Sequence, residues 1–214
     1  MRPTTARAAA CPTWTSDKSQ KSAWRRRRSS RHGGPRSGGG HRPFWRPLSF
    51  GVMDAPDLHP LNAPLIPLLG TWQGPGEGAY PTIESFSYAE TLTLGHVGKP
   101  FVALQQATKD RGSGAPLHAE SGYFRPQPGG GIELVLSQPS GIVEVLAGTV
   151  HETEAGVEID LSTEAVHLAP SAKMVRETRR RYVAEGDTLT CDFWMAAMGE
   201  PLTHHLHSVL HRQG

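Results

Sequence analysis

Cysteine is scarce in this chain. There are two in 214 residues, Cys11 and Cys191, and neither lies in a Cys-x-x-Cys pair or beside histidines at zinc-ligand spacing. That pattern excludes a disulfide framework or a structural zinc site and sets a reducing, cytoplasmic compartment as the expectation. Long apolar runs are missing as well. No stretch approaches the roughly 18 residues that a membrane-spanning helix needs, and the N-terminus lacks the continuous apolar core of a secretory signal. No membrane association is expected. Helical periodicity is nearly absent: the one candidate is a turn or two within 59–69, interrupted by Pro60, Pro64 and Pro67.

What the chain does have is a split in charge. Residues 1–55 carry twelve Lys and Arg against two acids, Asp17 and Asp54, out of chain totals of 22 and 20. Residues 56–214 are therefore acidic on balance, with ten basic against eighteen acidic side chains. The head, "WRRRRSSRHGGPRSGGGHRPFWRP", mixes Arg, Gly, Ser and Pro without a period and reads as a disordered tail over 1–55. Arg25 to Arg28 form a run that either meets a nucleic acid or a membrane surface or is simply solvated. Met53 opens "MDAPDLHPLNAPLIPLLG", a natural lead-in to the body, and is the expected true start, with the upstream stretch reading as translated leader. The acidic body is not expected to bind nucleic acid.

From residue 56 onward the pattern is strand after strand. Ile132, Leu134 and Leu136 alternate onto one face, as do Val157, Ile159 and Leu161, and Leu189, Cys191, Phe193 and Met195. Turn residues punctuate the runs at "GKP" 98–100, "PGGG" 128–131, "PSG" 139–141, "EAG" 154–156 and "EGD" 185–187. The expected strands are 70–76, 84–95, 100–109, 116–126, 131–138, 141–151, 156–164, 172–184, 187–198 and 201–211. Ten consecutive antiparallel strands in an open sheet would leave two long edges, so the expected fold is an all-β, ten-stranded up-and-down barrel over 56–214. A two-sheet sandwich is the competing architecture. A barrel wider than about eight strands is not filled by its own side chains and encloses a cavity.

The first strand carries Gly70-x-Trp72-x-Gly74-x-Gly76. No helix follows and no Lys-Ser/Thr pair accompanies it, so it is not a nucleotide loop. Trp72 reads as a core residue plugging one barrel end, with the glycines as bulges or bends at the corner. Together with "YPTI" at 80–83, "HVGKPF" at 96–101, "LHAESGYFR" at 117–125, "ELVLSQPSGIVEV" at 133–145, "LAPSAK" at 168–173 and "MGEPLTHHLHSVLHR" at 198–212, this stretch resembles the nitrobindins, and most of all their actinobacterial members. The resemblance covers about 61–213. It implies a ten-stranded barrel holding haem b, with peroxynitrite isomerised to nitrate as the activity, reversible nitric oxide binding as a second, and homodimers as a frequent assembly. A carrier of lipid or another apolar ligand, of the fatty-acid-binding or lipocalin-like type, is the competing function, because an apolar cavity suits either ligand.

Four of the eleven histidines fall in the last eleven residues. The family pattern Pro-Leu-x-x-His-Leu falls on Pro201, Leu202, His205 and Leu206, which makes His205 the implied proximal ligand to the haem iron. One neutral imidazole leaves the sixth iron position open for a small molecule. No side-chain catalyst beyond the iron is implied. The resemblance also places Thr82 against haem, and Lys173 is a candidate partner for a haem propionate. His96 and Lys99 read as structural turn residues, and His207 and His211 as surface residues. Strict alternation raises a conflict. If His205 faces the cavity, Leu202, Leu206 and Leu210 face outward, unless a bulge resets the register or the leucines lie under a dimer contact or the N-terminal turn.

Overall fold

The computed structural model describes residues 56–214. The readings of the Arg-rich head, of Cys11 and of a start at Met53 fall on positions outside the described residues. Among the described residues a 3₁₀ helix, Pro60–Leu68, precedes ten strands: β1 Gly70–Tyr80, β2 Ile83–Gly95, β3 Val102–Asp110, β4 Pro116–Pro126, β5 Gly131–Ser137, β6 Ile142–Glu152, β7 Gly156–Leu168, β8 Val175–Glu185, β9 Thr188–Ala197 and β10 Thr203–Gln213. Every strand pairs antiparallel with its sequence neighbours, and β1 pairs with β10 to close the barrel, so no edge remains. None of the described helices is long and apolar enough to cross a membrane.

The alternation that defines the strands also divides the barrel. One end is filled. Leu92 and Leu94 of β2, Leu104 of β3, Phe124 of β4, Ile159 and Leu161 of β7, Leu189 of β9 and Leu210 of β10 pack with Trp72 into one apolar core. The 3₁₀ helix is the stopper of that end. Its three prolines fix φ without leaving amide donors unpaired, and Leu65 and Leu68 are fully buried. Asn62 reaches from the helix to the carbonyls of Lys99 (2.8 Å) and Phe101 (3.2 Å). The Trp72 indole donates to the Leu68 carbonyl at 2.8 Å, and the Arg212 guanidinium lies 4.1 Å from the Trp72 ring centroid while donating to the Leu69 and Pro67 carbonyls. Trp72 is thus the core plug expected of it. His96 and Lys99 are structural here too, His96 accepting from Gly98 N and Lys99 holding Asn62.

The glycines of the motif do not make bulges, which corrects the sequence expectation. β1 and β2 stay in register from Gly70 to Gly78, and the first irregularity lies between Gly78 and Tyr80. Close approach is the reason for glycine instead. A Cβ on Gly74 would collide with the Val209 carbonyl of β10, and one on Gly76 would occupy the Tyr88 ring. Gly70 opens β1 at φ +123°, a backbone that side chains rarely adopt.

Candidate active site at the open end of the barrel

The other end of the barrel is hollow. A cavity of about 610 Å³ runs inward from it, within the range of small-molecule sites. Its rim includes Ile83, Leu117, Ser140 and Lys173, and its walls include Phe86, Phe193, Met195 and His205.

A bulge places His205 there. On β10, His204 pairs with Trp194 of β9 and Leu206 pairs with Phe193, so His205 is an extra residue opposite no partner. The bulge resolves the conflict in the sequence pattern. After it Leu206 lines the cavity and Leu210 is fully buried, while Leu202 lies before the strand and is exposed. The leucines need no outer contact. The same extra residue puts both His204 and His207 on the outer surface, where each meets Asp192 Oδ1, at 3.0 and 2.8 Å. His211 is exposed as expected.

The β1–β10 ladder ends at the pair Gly78–Leu206. One residue further on, the Ala79 carbonyl accepts a hydrogen bond from His205 Nδ1 at 3.0 Å. A carbonyl only accepts, so Nδ1 carries the proton and Nε2 keeps its lone pair. Three aromatic rings enclose the imidazole, Tyr80 at 5.2 Å, Phe193 at 6.1 Å and Phe86 at 6.3 Å between centroids. Tyr80 is itself fixed, its hydroxyl accepting from Ala197 N at 2.9 Å. Burial lowers the His205 pKa, against the Ala79 hydrogen bond that raises it, and so favours the neutral ring. A neutral, half-buried imidazole with Nδ1 held by a backbone carbonyl is the state in which histidine binds metals.

Deeper in, the barrel carries a belt of charge. Arg180 of β8 makes two bonds of 2.8 Å to the Glu120 carboxylate of β4 and a third of 2.8 Å to Glu144 of β6. Gln138 (2.6 Å) and Thr178 complete the contacts of Glu144. All three charged residues are buried. Burial works to raise the Glu120 pKa, but the charge and hydrogen bonds of Arg180 together with His118 outweigh it and hold it at about 2. Glu90 of β2, 7 % exposed, is pushed upward by burial. His118 of β4 contacts Glu120 through Nε2 at 3.3 Å and lines the same cavity as His205.

Of the residues named from sequence, His205 and Lys173 both line the cavity, Lys173 as an exposed residue. Thr82 does not. It occupies the two-residue turn between β1 and β2, exposed to solvent, because β1 runs on to Tyr80 and leaves only Pro81 and Thr82 for the hairpin tip; Ile83 and Phe86 take the wall. The charged belt went unread, although it left a signal. Arg180 alternates in phase with Thr178 and Tyr182, Glu120 with Gly122 and Phe124, Glu144 with Ile142 and Leu146, and Glu90 with Tyr88 and Leu92. Four strands each put a charge into the buried phase, and buried charges come in partners.

Residues 62–212 match the model of the THAP4-like, haem-binding β-barrel domain family. The chain belongs to that family. Curated relatives agree. The chain is 51 % identical over 158 residues to peroxynitrite isomerase 1 of Mycolicibacterium paratuberculosis, covering 73 % of this chain and 98 % of the relative. It is 51 % identical to peroxynitrite isomerase 2 of Mycobacterium avium over the same shares, and 48 % identical over 160 residues to peroxynitrite isomerase 1 of Mycobacterium tuberculosis, again over 73 % and 98 %. Among solved structures, the crystal structure of Rv2717c from M. tuberculosis superposes with a TM-score of 0.72 at 46 % identity, over 74 % of this chain and all of that one. The expected family and the expected ten-stranded barrel are both met. The haem-binding barrel is the shared unit, and it coincides with the part of the chain built around the hollow end.

Proposed function

We propose that this chain is a ferric haem b protein that isomerises peroxynitrite to nitrate, with His205 as the proximal iron ligand and nitric oxide as a further ligand of the open iron position. The observation that carries it is the bulged His205, its Nδ1 satisfied by Ala79 and its Nε2 free, on the wall of a cavity of about 610 Å³. The residues suit the group. The donor is a neutral imidazole. Ile83, Phe86, Phe193 and Leu206 supply apolar and aromatic wall for a planar macrocycle, and Lys173 supplies a cation at the rim for a carboxylate.

Ferric haem supplies a Lewis-acidic iron with one position left for a ligand. The chain's own residues do the rest. Ala79 fixes the tautomer and plane of His205, and the Tyr80–Phe86–Phe193 cage keeps water from competing for Nε2. Peroxynitrite and nitrate contain the same atoms and carry the same charge. No proton has to leave or arrive, so the walls need to hold an anion and exclude side reactions, not to act as an acid. A two-protomer assembly is part of the same proposal.

The carrier reading loses its anchor in the structure. A fatty-acid site needs a free buried cation for the carboxylate, and the buried Arg180 is already engaged by Glu120 and Glu144. The experiment is stopped-flow decay of peroxynitrite with haem-loaded protein, followed by product analysis. Acceleration with nitrate as the product is expected. Decay no faster than with the haem-free protein, or copurification of the colourless protein with fatty acid, would overturn the proposal.

A further inference from the structure

The cavity has a second imidazole. His118 sits on β4, four strands round the ten-stranded wall from β10, and so nearly opposite His205. The two are near enough for His118 to contribute to lowering the His205 pKa, behind burial. His118, like His205, stands beside a register shift. β3 and β4 slip between Thr108 and Lys109, where Thr108 pairs with His118 and Lys109 with Pro116, leaving Leu117 as the extra residue. Thr108 Oγ1 then clamps the backbone of His118, accepting from its N–H at 3.1 Å and donating to its carbonyl at 3.4 Å. Bulges re-aim side chains, and this barrel uses one beside each imidazole of the cavity.

Behind His118 lies the whole charged belt. Its Nε2 meets Glu120, Glu120 is gripped at both oxygens by Arg180, and Arg180 is braced by Glu144. The charged and titratable groups that line the cavity with the ring include Glu120 on its own strand, Glu90 on β2, Arg180 on β8, Asp192 on β9, His205 on β10 and Lys173 at the rim, with Glu144 of β6 behind Arg180. Such a chain is more than a barrel needs for stability, since a well-packed apolar belt would serve as well. It does fix one thing. An ionised Glu120 accepts from Nε2–H of His118, which leaves Nδ1 as the ring atom free for another partner.

We propose that His118 is the anion-holding residue of the cavity: its Nδ1–H donates to the small anionic ligand bound opposite His205, while Glu120, Arg180 and Glu144 position the ring. This rests on the haem reading above. The ring binds as an imidazolium between two negative charges, Glu120 on one side and the ligand on the other. The Nδ1 proton comes from solvent, stays on the ring, and is not passed to the ligand. Its role is to orient peroxynitrite and to retain it through rearrangement to another anion of the same charge.

The test uses the full chain loaded with hemin, with azide as the probe anion, in wild type, His118→Leu and His118→Gln. His118→Leu should keep the wild-type Soret band and hemin affinity, because His205 is untouched. It should bind azide roughly 10- to 100-fold more weakly, the range for one charge-assisted hydrogen bond. His118→Gln should recover part of that loss through its amide donor. In the haem-free protein, ring ¹⁵N shifts should show Nε2 protonated in wild type, and Glu120→Gln should lose that preference. Azide affinity in His118→Leu equal to wild type, or a lost Soret band in that variant, would overturn the proposal. The absence of a Soret band in wild type would instead sink the haem reading, and this proposal with it.

Discussion

The two ends of the barrel are built from the same ten strands and do opposite things. At the closed end the buried positions are mainly apolar, the 3₁₀ helix seals the opening, and Trp72, Leu65, Leu68 and Leu210 fill the interior. At the open end apolar and aromatic wall residues are joined by imidazoles, carboxylates and a guanidinium around a cavity, and two register shifts break the ladders beside the histidines. Burial at one end stabilises the fold that holds the other end in place. A site with buried charge and bulged strands persists because the rest of the barrel over-determines it.

The largest effect that would sharpen this contrast is expected from Trp72→Ala. It removes a fully buried indole, its bond to Leu68 and its stacking with Arg212, and should cost about 3–5 kcal/mol in chemical denaturation. Hemin affinity of the molecules that remain folded should stay at the wild-type level. A fall in that affinity would mean that the two ends are not separable.

Gly76→Ala should cost less, about 1–3 kcal/mol, because the new methyl meets the Tyr88 ring, which has to move. Tyr88 lines the cavity, so this substitution reaches the open end through the motif strand. Thermal melts check the stability, and a weakened hemin titration is the sign that the ring has moved into the haem space.

This motif also shows how far the sequence could be read. Alternation in several strands and the turn residues between runs together located all ten strands to within a few residues, because half-buried strands show their period directly. Trp72 was legible for the same reason. The roles of Gly74 and Gly76 were not, since a glycine chosen for the carbonyl or ring lying over it looks the same in sequence as one chosen for a bend. His205 entered by resemblance, and alternation alone argued against it. The one-residue bulge that turns it inward is an event of pairing between β9 and β10 and has no local signature. The charged belt was hidden differently, its partners lying 36 and 60 residues apart.

Smaller effects concern pH. Glu120 has a folded pKa depressed to about 2 by Arg180, so its contribution to stability is present above the ordinary carboxylate range and is lost as pH falls from about 4.5 toward 2. Glu90 runs the other way. Burial raises its folded pKa, so its contribution weakens as pH climbs above 4.5, and Glu90→Gln should stabilise the protein at neutral pH. Denaturation midpoints of the two single variants across pH 3–8 should therefore diverge from wild type in opposite directions above about pH 4.5, Glu120→Gln as a loss and Glu90→Gln as a gain that grows as pH rises. Parallel curves would mean that the belt does not titrate as its contacts require.

The central claim is that one bulged imidazole tethers haem inside the open end. A hemin titration of His205→Ala, followed in the Soret region beside wild type and with circular dichroism on the same samples, tests it most directly. Wild type should give a saturable Soret band at one haem per chain, and the variant, with an unchanged β-sheet spectrum, should lose affinity by more than the roughly 10- to 100-fold that loss of a supporting residue costs. A folded His205→Ala protein that binds hemin with the wild-type affinity and spectrum would contradict it.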